Sequence, residues 1–252
     1  MIKLEAIEKI IKLTIYTGYL QNTRPLSLMI IANKESAKTE TATQYALNDG
    51  VLLMNNFTPT SFMENYILKF GSGEYRHLII PDLLSCISRQ KYLVDSTITF
   101  LNAFTEEGVK EIASKAFEGG TIKLDRPVHG GVITTIAKED FEDRWEKWSS
   151  VGFLTRWLPV SYQYSQEVVK EILYAVATED ESKILGNSII LKLPKQRAKV
   201  TIPKELSALL IEPGKEMQRR LSTYGFRGVR HLRRLTQAQA LSEGKHEVSS
   251  AL

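Results

Sequence analysis

The chain has 252 residues, 43% of them apolar and 25% charged, with a net charge of +4. That balance belongs to a folded globular chain able to bury its own core, as one large domain or a core plus a small one. A single cysteine, Cys86, and the lack of any Cys/His cluster exclude a disulfide framework and a zinc site, and point to a reducing, cytoplasmic setting. The opening stretch "MIKLEAIEKIIKLTIYTGYL" is interrupted by Glu5, Glu8 and Lys9, so it reads as neither signal peptide nor membrane span, and no membrane partner is expected.

Leu4, Ile7, Ile10, Ile11 and Leu13 recur at helical spacing and predict an amphipathic first helix. "LSLMIIA" (26–32) reads as a buried strand, residues 37–47 as a helix, and 50–57 as a second strand. "SFMENYILKF" predicts a short helix stopped by Gly71 and Gly73, and "RHLIIPD" (76–82) a third buried strand. A long helix over 90–106 follows, closed by Gly108; "VKEIAS" and "TIKLDR" then suit a hairpin. Residues 130–137 read as a fourth strand, 139–148 as an acidic helix, and 153–162 as a fifth strand. Beyond Ser165 the pattern is helical over 165–177, 203–225 and 227–244, with a Lys/Pro-rich connector at 190–205. Apolar strands alternating with helices predict an α/β parallel-sheet core over 1–162, followed by a smaller helical part over 163–252.

Residues 32–39, A-N-K-E-S-A-K-T, have the layout of the phosphate-binding loop G-x-x-x-x-G-K-S/T, with Ala32 and Ala37 where the glycines stand. Such a loop cradles phosphate with backbone N–H groups at a helix start, a lysine on the terminal phosphates and a hydroxyl on Mg²⁺. Lys38 and Thr39 are the right types in the right order. The competing reading is a plain strand-turn-helix that happens to end in Lys-Thr.

Later segments bear on that choice. "HLIIPDLLS" resembles a Walker B strand ending in Asp82, an acid that a P-loop domain carries on a neighbouring strand. "TITFLNAFTEEGVKEIAS" resembles the helix and hairpin that follow it in AAA+ ATPases, above all in the minichromosome-maintenance-like helicase branch. "GGVITTIAKEDF" occupies the sensor 1 position, and "GFLTRWLPVSY" is similar to the segment bearing an arginine finger. "YGFRGVRHLRRLTQAQALSEGKHEVSS" resembles the last lid helix of that branch. The chain is thus identified, over about residues 25–250, as resembling a divergent AAA+ module: a P-loop NTPase sheet flanked by helices and capped by a helical lid.

This resemblance implies an ATP-Mg²⁺ site built from Ala32, Asn33, Lys34, Glu35, Ser36, Ala37, Lys38 and Thr39, with Thr39 and Asp82 serving the metal. It implies that Arg156 acts in trans on a neighbour's γ-phosphate, and that Arg227 or Arg230 is the sensor 2 residue, with the helix spacing favouring Arg230. It also implies a homo-oligomeric ring, with DNA a possible partner. Three departures stand out. Both loop glycines are missing, Leu83 replaces the second Walker B acid, and Thr134, Thr135 and Lys138 all suit sensor 1. Glu35, Glu40 and Asp95 are conceivable substitute bases. His77 and His129 read as packed or turn residues, Trp145, Trp148 and Trp157 as packing between sheet and lid. Lys115 and Lys123 fall on the hairpin that touches DNA in helicase relatives. The functions these features allow are a nucleotide-dependent DNA-processing motor, a catalytically inactive scaffold or DNA-binding relative, and a basic DNA-binding protein that works through its Arg-rich last helix.

Overall fold

The structure is a computed structural model that describes residues 4–87, 91–113, 120–179, 186–221 and 223–249. Its strands are β1 (Leu28–Ala32), β2 (Val51–Leu53), β3 (His77–Ile80), β4 (Val109–Ala113), β5 (Thr121–Val128), β6 (Gly131–Ala137) and β7 (Leu158–Ser161). Five of them form a parallel sheet in the order β2-β3-β6-β1-β7, while β4 and β5 pair as the expected antiparallel hairpin. The central strands β1, β3 and β6 are buried along their whole length, as continuous apolar runs in a parallel sheet must be. Met29 and Ile31 of β1 feed one core and Leu28 and Ile30 the other, as alternation across the sheet requires.

One expectation needs correcting. The strand ending at Asp82 does not neighbour β1: β6 lies between them, paired with β1 through Ile30↔Thr135 and with β3 through Ile80↔Thr134. Since all five strands run the same way, every carboxyl end, including those of β1, β3 and β6, opens on one edge of the sheet. Every amino end opens on the other, about 15 Å away for strands of this length.

The helices are α1 (Glu5–Thr17), α2 (Lys38–Thr43), α3 (Pro59–Asn65), α4 (Ile67–Ser72), α5 (Leu83–Ile87), α6 (Lys91–Asn102), α7 (Lys138–Ser150), α8 (Gln166–Ala177), α9 (Lys204–Leu209), α10 (Ile211–Met217) and α11 (Phe226–Ser242). Several are shorter than their periodicity predicts. The helix expected over 37–47 stops at Thr43 and continues as turns. The one expected over 203–225 is two helices and a 3₁₀ turn, with Pro213 in the second. The long helix over 90–106 ends in a π-helical turn, Ala103–Glu107, before Gly108 at φ 85°. Strand 153–162 opens as a 3₁₀ turn, Leu154–Arg156, and only then becomes β7.

On one face of the sheet Phe57, Phe62, Phe70, Phe100 and Phe104 form a chain of ring contacts 4.9–5.9 Å apart. Trp148 and Trp157 are buried in the same core beside Phe153, with Trp145 packed against it. The other face is covered by α1 and α2. Residues 186–202 carry almost no regular structure but bind closely to this side. Ile189 N–H donates to the Gln44 carbonyl, Asn48 brackets Ile189 and Leu191, and Tyr16 Oη donates to the Lys192 carbonyl. This strap leads into a third core, where Leu13, Tyr16 and Leu20 of the first helical segment meet Ala238, Ala240 and Leu241 of α11.

His77 is buried completely at the amino end of β3, against Gly131 of β6. A Cβ at Gly131 would stand 2.4 Å from the imidazole and 2.6 Å from the Leu26 carbonyl oxygen, so only glycine admits the ring there. Burial pushes the His77 pKa down to about 3, which makes it a neutral packing residue.

Candidate nucleotide-binding site

The loop between β1 and α2 emerges from the carboxyl edge of the sheet. Its backbone turns left-handed twice, at Glu35 (φ 60°) and at Ala37 (φ 57°), and Ala37 is the residue that starts α2. Alternation of this kind turns successive N–H groups toward one concavity, the geometry of an anion nest. Ala32, by contrast, is the last residue of β1 and is 2% exposed, so its methyl lies in the sheet and not in the loop's mouth.

Lys38 reaches back across the loop, its Nζ donating to the Asn33 carbonyl at 3.1 Å. Ser36 is buried, and its hydroxyl lies beside Tyr162 without a well-formed hydrogen bond among the described residues. Its carbonyl, on the other side, accepts from Tyr162 Oη at 2.6 Å and Tyr164 Oη at 2.9 Å. Desolvation raises both tyrosine pKa values, so both hydroxyls keep their protons to donate. Lys34 pairs with Glu139 at 3.1 Å, which pins the loop's outer side to α7.

Thr39 points toward the ends of two other strands. Its Oγ1 is 3.4 Å from the Pro81 carbonyl and 3.5 Å from Thr135 Oγ1, and Thr135 itself donates to Pro81 at 2.6 Å. Asp82 follows immediately, its carboxylate accepting the Leu84 N–H at 3.1 Å and so starting α5. The structure therefore brings Thr39 against Pro81, next to Asp82, and, of the three sensor 1 candidates, against Thr135. Thr134 is turned to the Ile80 carbonyl and Lys138 to Glu142. Of the substitute bases, Asp95 is engaged by Lys147 across α6 and α7. Leu83, where a second acid would stand, is wholly buried in the core.

The arginines lie elsewhere. Arg156 precedes β7, whose Leu158 N–H donates to Ser27 at the amino edge. It is largely buried, bound to the Gly152 carbonyl at 2.6 Å and paired with Glu107. Arg227 falls inside the first turn of α11 and donates to Thr155 Oγ1 at 2.6 Å. Arg230 is more exposed and stands 3.9 Å from Glu106, which also pairs with Arg24. His231 sits 3.2 Å from the Thr155 carbonyl, its pKa lowered to about 4 first by burial and then by Arg234. On the hairpin, Lys123 is exposed opposite Glu111, while Lys115 lies outside the described residues.

The sequence reading missed Tyr162 and Tyr164. Their signal was the Y-x-Y spacing at the end of β7, which puts both rings on one side of an extended chain.

The sequence matches no family model and no curated protein. Among solved structures, the chain superposes on a full-length MCM homologue from Methanopyrus kandleri with a TM-score of 0.50 and 11% identity. The match covers 98% of this chain and 52% of that one, so the chain spans about half the homologue's length. A candidate ATPase from Cytophaga hutchinsonii matches with a TM-score of 0.48 and 14% identity, over 98% of this chain and 77% of that one. The chain shares the fold of that homologue, a parallel sheet flanked by helices. In this sheet the loop of Lys38 and the end of β3 meet on the carboxyl edge, where ligands of open α/β sheets bind. Among the described residues, no helix is long and apolar enough to cross a membrane.

Proposed function

We propose that the chain is a nucleotide-binding AAA+ module that takes the phosphates of ATP, with Mg²⁺, in the loop from Ala32 to Thr39. The observation that carries this is the doubly left-handed loop at the start of α2, with Thr39 drawn to Pro81 and Thr135 beside Asp82. Bound there, magnesium would supply charge neutralisation between the phosphates. Lys38 would exchange the Asn33 carbonyl for a phosphate oxygen, the loop amides would donate, and Thr39 and Asp82 would face the metal. Tyr162 and Tyr164 hold the loop open by fixing the Ser36 carbonyl outward.

Arg156 and Arg230 lie at the edge opposite their own loop, so in this reading they serve the loop of a second copy stacked head to tail. Such a heterologous contact, repeated, gives the ring. Residues 163–252 form the lid in this scheme. A DNA-processing role rests on the basic face of α11 and on Lys123 of the hairpin. Buried Leu83 favours a second reading, a module that binds nucleotide without turning it over. An absent general base lowers rate by a factor of about 10²–10⁴.

The test is a melting scan with ATP and Mg²⁺. A hundredfold excess over Kd stabilises by about 2.7 kcal/mol, a rise of roughly 5–10 °C for a chain of this size. The rise is expected to vanish in Lys38→Ala. Phosphate release lost in Arg156→Ala would support the motor, and binding without release would support the inactive scaffold. No rise with any nucleotide would overturn both.

A further inference from the structure

On the amino edge of the sheet, far from the loop of Lys38, a cleft of about 390 Å³ opens between the turn before β1, the end of α4, the end of β5 and the strap. Arg24, Arg76, Arg126, Lys195, Arg197 and His129 line it, and no carboxylate does. We infer that this cleft is a second anion site, built to take a phosphate group.

Four segments supply the cations: Arg24 from the turn before β1, Arg76 from the turn before β3, Arg126 from β5, and Lys195 and Arg197 from the strap. Arg126 commits Nη2 to the Gly71 carbonyl at 3.0 Å, and Arg197 commits Nε to the Gly18 carbonyl at 3.2 Å. A guanidinium carries five N–H donors, so each retains most of its fork. Arg76 stacks its guanidinium over the Tyr19 ring at 4.6 Å and lies beside the Tyr19 hydroxyl, and its buried Nε has no acceptor among the described residues. Arg24 alone has an acid, Glu106, which lies outside the cleft's lining. A purely structural role accounts for the two carbonyl contacts. It leaves unexplained a like-charge cluster whose members repel. Desolvation and then the proximity of Arg76 and Arg126 hold the Arg197 pKa below its ordinary value.

An anion with several oxygens relieves that repulsion. Planar guanidinium forks match phosphate oxygens in bidentate geometry, and the binding is strong because both partners are charged. The volume is within the range of small-ligand sites and admits more than one phosphate. The phosphate can come from a nucleic-acid backbone or from a free polyphosphate.

The probe is inorganic tripolyphosphate without Mg²⁺, at constant ionic strength, added to the Lys38→Ala chain so that the β1–α2 loop does not contribute. The melting temperature is expected to rise by several degrees at millimolar probe. Adding Arg126→Gln and Lys195→Gln, both at exposed positions, removes repulsion, so the unliganded protein should melt no lower than Lys38→Ala alone. Its apparent affinity for the probe should fall at least tenfold. No rise in Lys38→Ala, or an equal rise in the triple variant, overturns the site. Anisotropy of a labelled oligothymidylate identifies the source. Binding that tripolyphosphate displaces and the two glutamines abolish points to a nucleic-acid backbone, and tripolyphosphate binding alone points to a free polyphosphate.

Discussion

Ala32 and Ala37 look like the same departure in the sequence, a methyl where glycine is customary, but their backbones differ. Ala37 holds φ 57°, and a left-handed conformation costs an L-residue about 1–2 kcal/mol. Glycine gives back part of that through its looser unfolded chain, about 0.4–1 kcal/mol. Ala37→Gly is therefore expected to raise stability by roughly 0.5–1 kcal/mol, read as a higher urea midpoint at unchanged slope. Ala32 is extended and buried in β1, so Ala32→Gly should lower stability by about 1 kcal/mol. If both changes destabilise alike, the left-handed turn at Ala37 is not there. Tyr162→Phe removes one of two donors to the Ser36 carbonyl and should cost about 1 kcal/mol. Its effect should be smaller than that of the double change with Tyr164→Phe, in which the carbonyl loses both.

At the level of elements, the missing Walker B acid has a packing cause. Leu83 opens α5 with its side chain in the core, wholly buried. Leu83→Glu would not restore a base: it would bury an unpaired carboxylate and open a gap, at about 3 kcal/mol or more. A melting temperature within a degree or two of wild type would show that the position can face the site after all. The pair α10 and α11 depends on a different constraint. A Cβ at Gly228 would stand 2.1 Å from the Gly214 carbonyl oxygen, so Gly228→Ala must push the helices apart. That shift would move Arg227 and His231 off Thr155, and stability should drop by about 1–3 kcal/mol.

Strand and helix order was legible because buried parallel strands are unbroken apolar runs, and β1, β3 and β6 each read so. Their spatial order was not, since periodicity is silent on which strand inserts where; only contact places β6 between β1 and β3. Lys38, Thr39 and Asp82 were legible as types in order. The tyrosine clamp and the engagement of Arg156 with Glu107 depend on tertiary approach, which spacing does not encode. The buried histidines set a property of the molecule as a whole. His77 and His231 are held neutral, with pKa values of about 3 and about 4, against about 6.5 when unfolded. Their contribution is complete above pH 6.5 and declines as the pH falls, because the unfolded chain then takes up protons that the folded one refuses. The combined slope approaches roughly 2.7 kcal/mol per pH unit between about pH 6 and 4. Urea midpoints across that range should show it, and His231→Gln should halve it.

The third core joins the first helix to the last, residues 5–17 to 226–242. During translation, Leu13 and Tyr16 leave the ribosome some 200 residues before the surface that covers them. At about 5–20 residues per second this interval is on the order of 10–45 s. The nascent chain must spend it with an apolar stripe uncovered, a natural client for a chaperone until the ends close on each other.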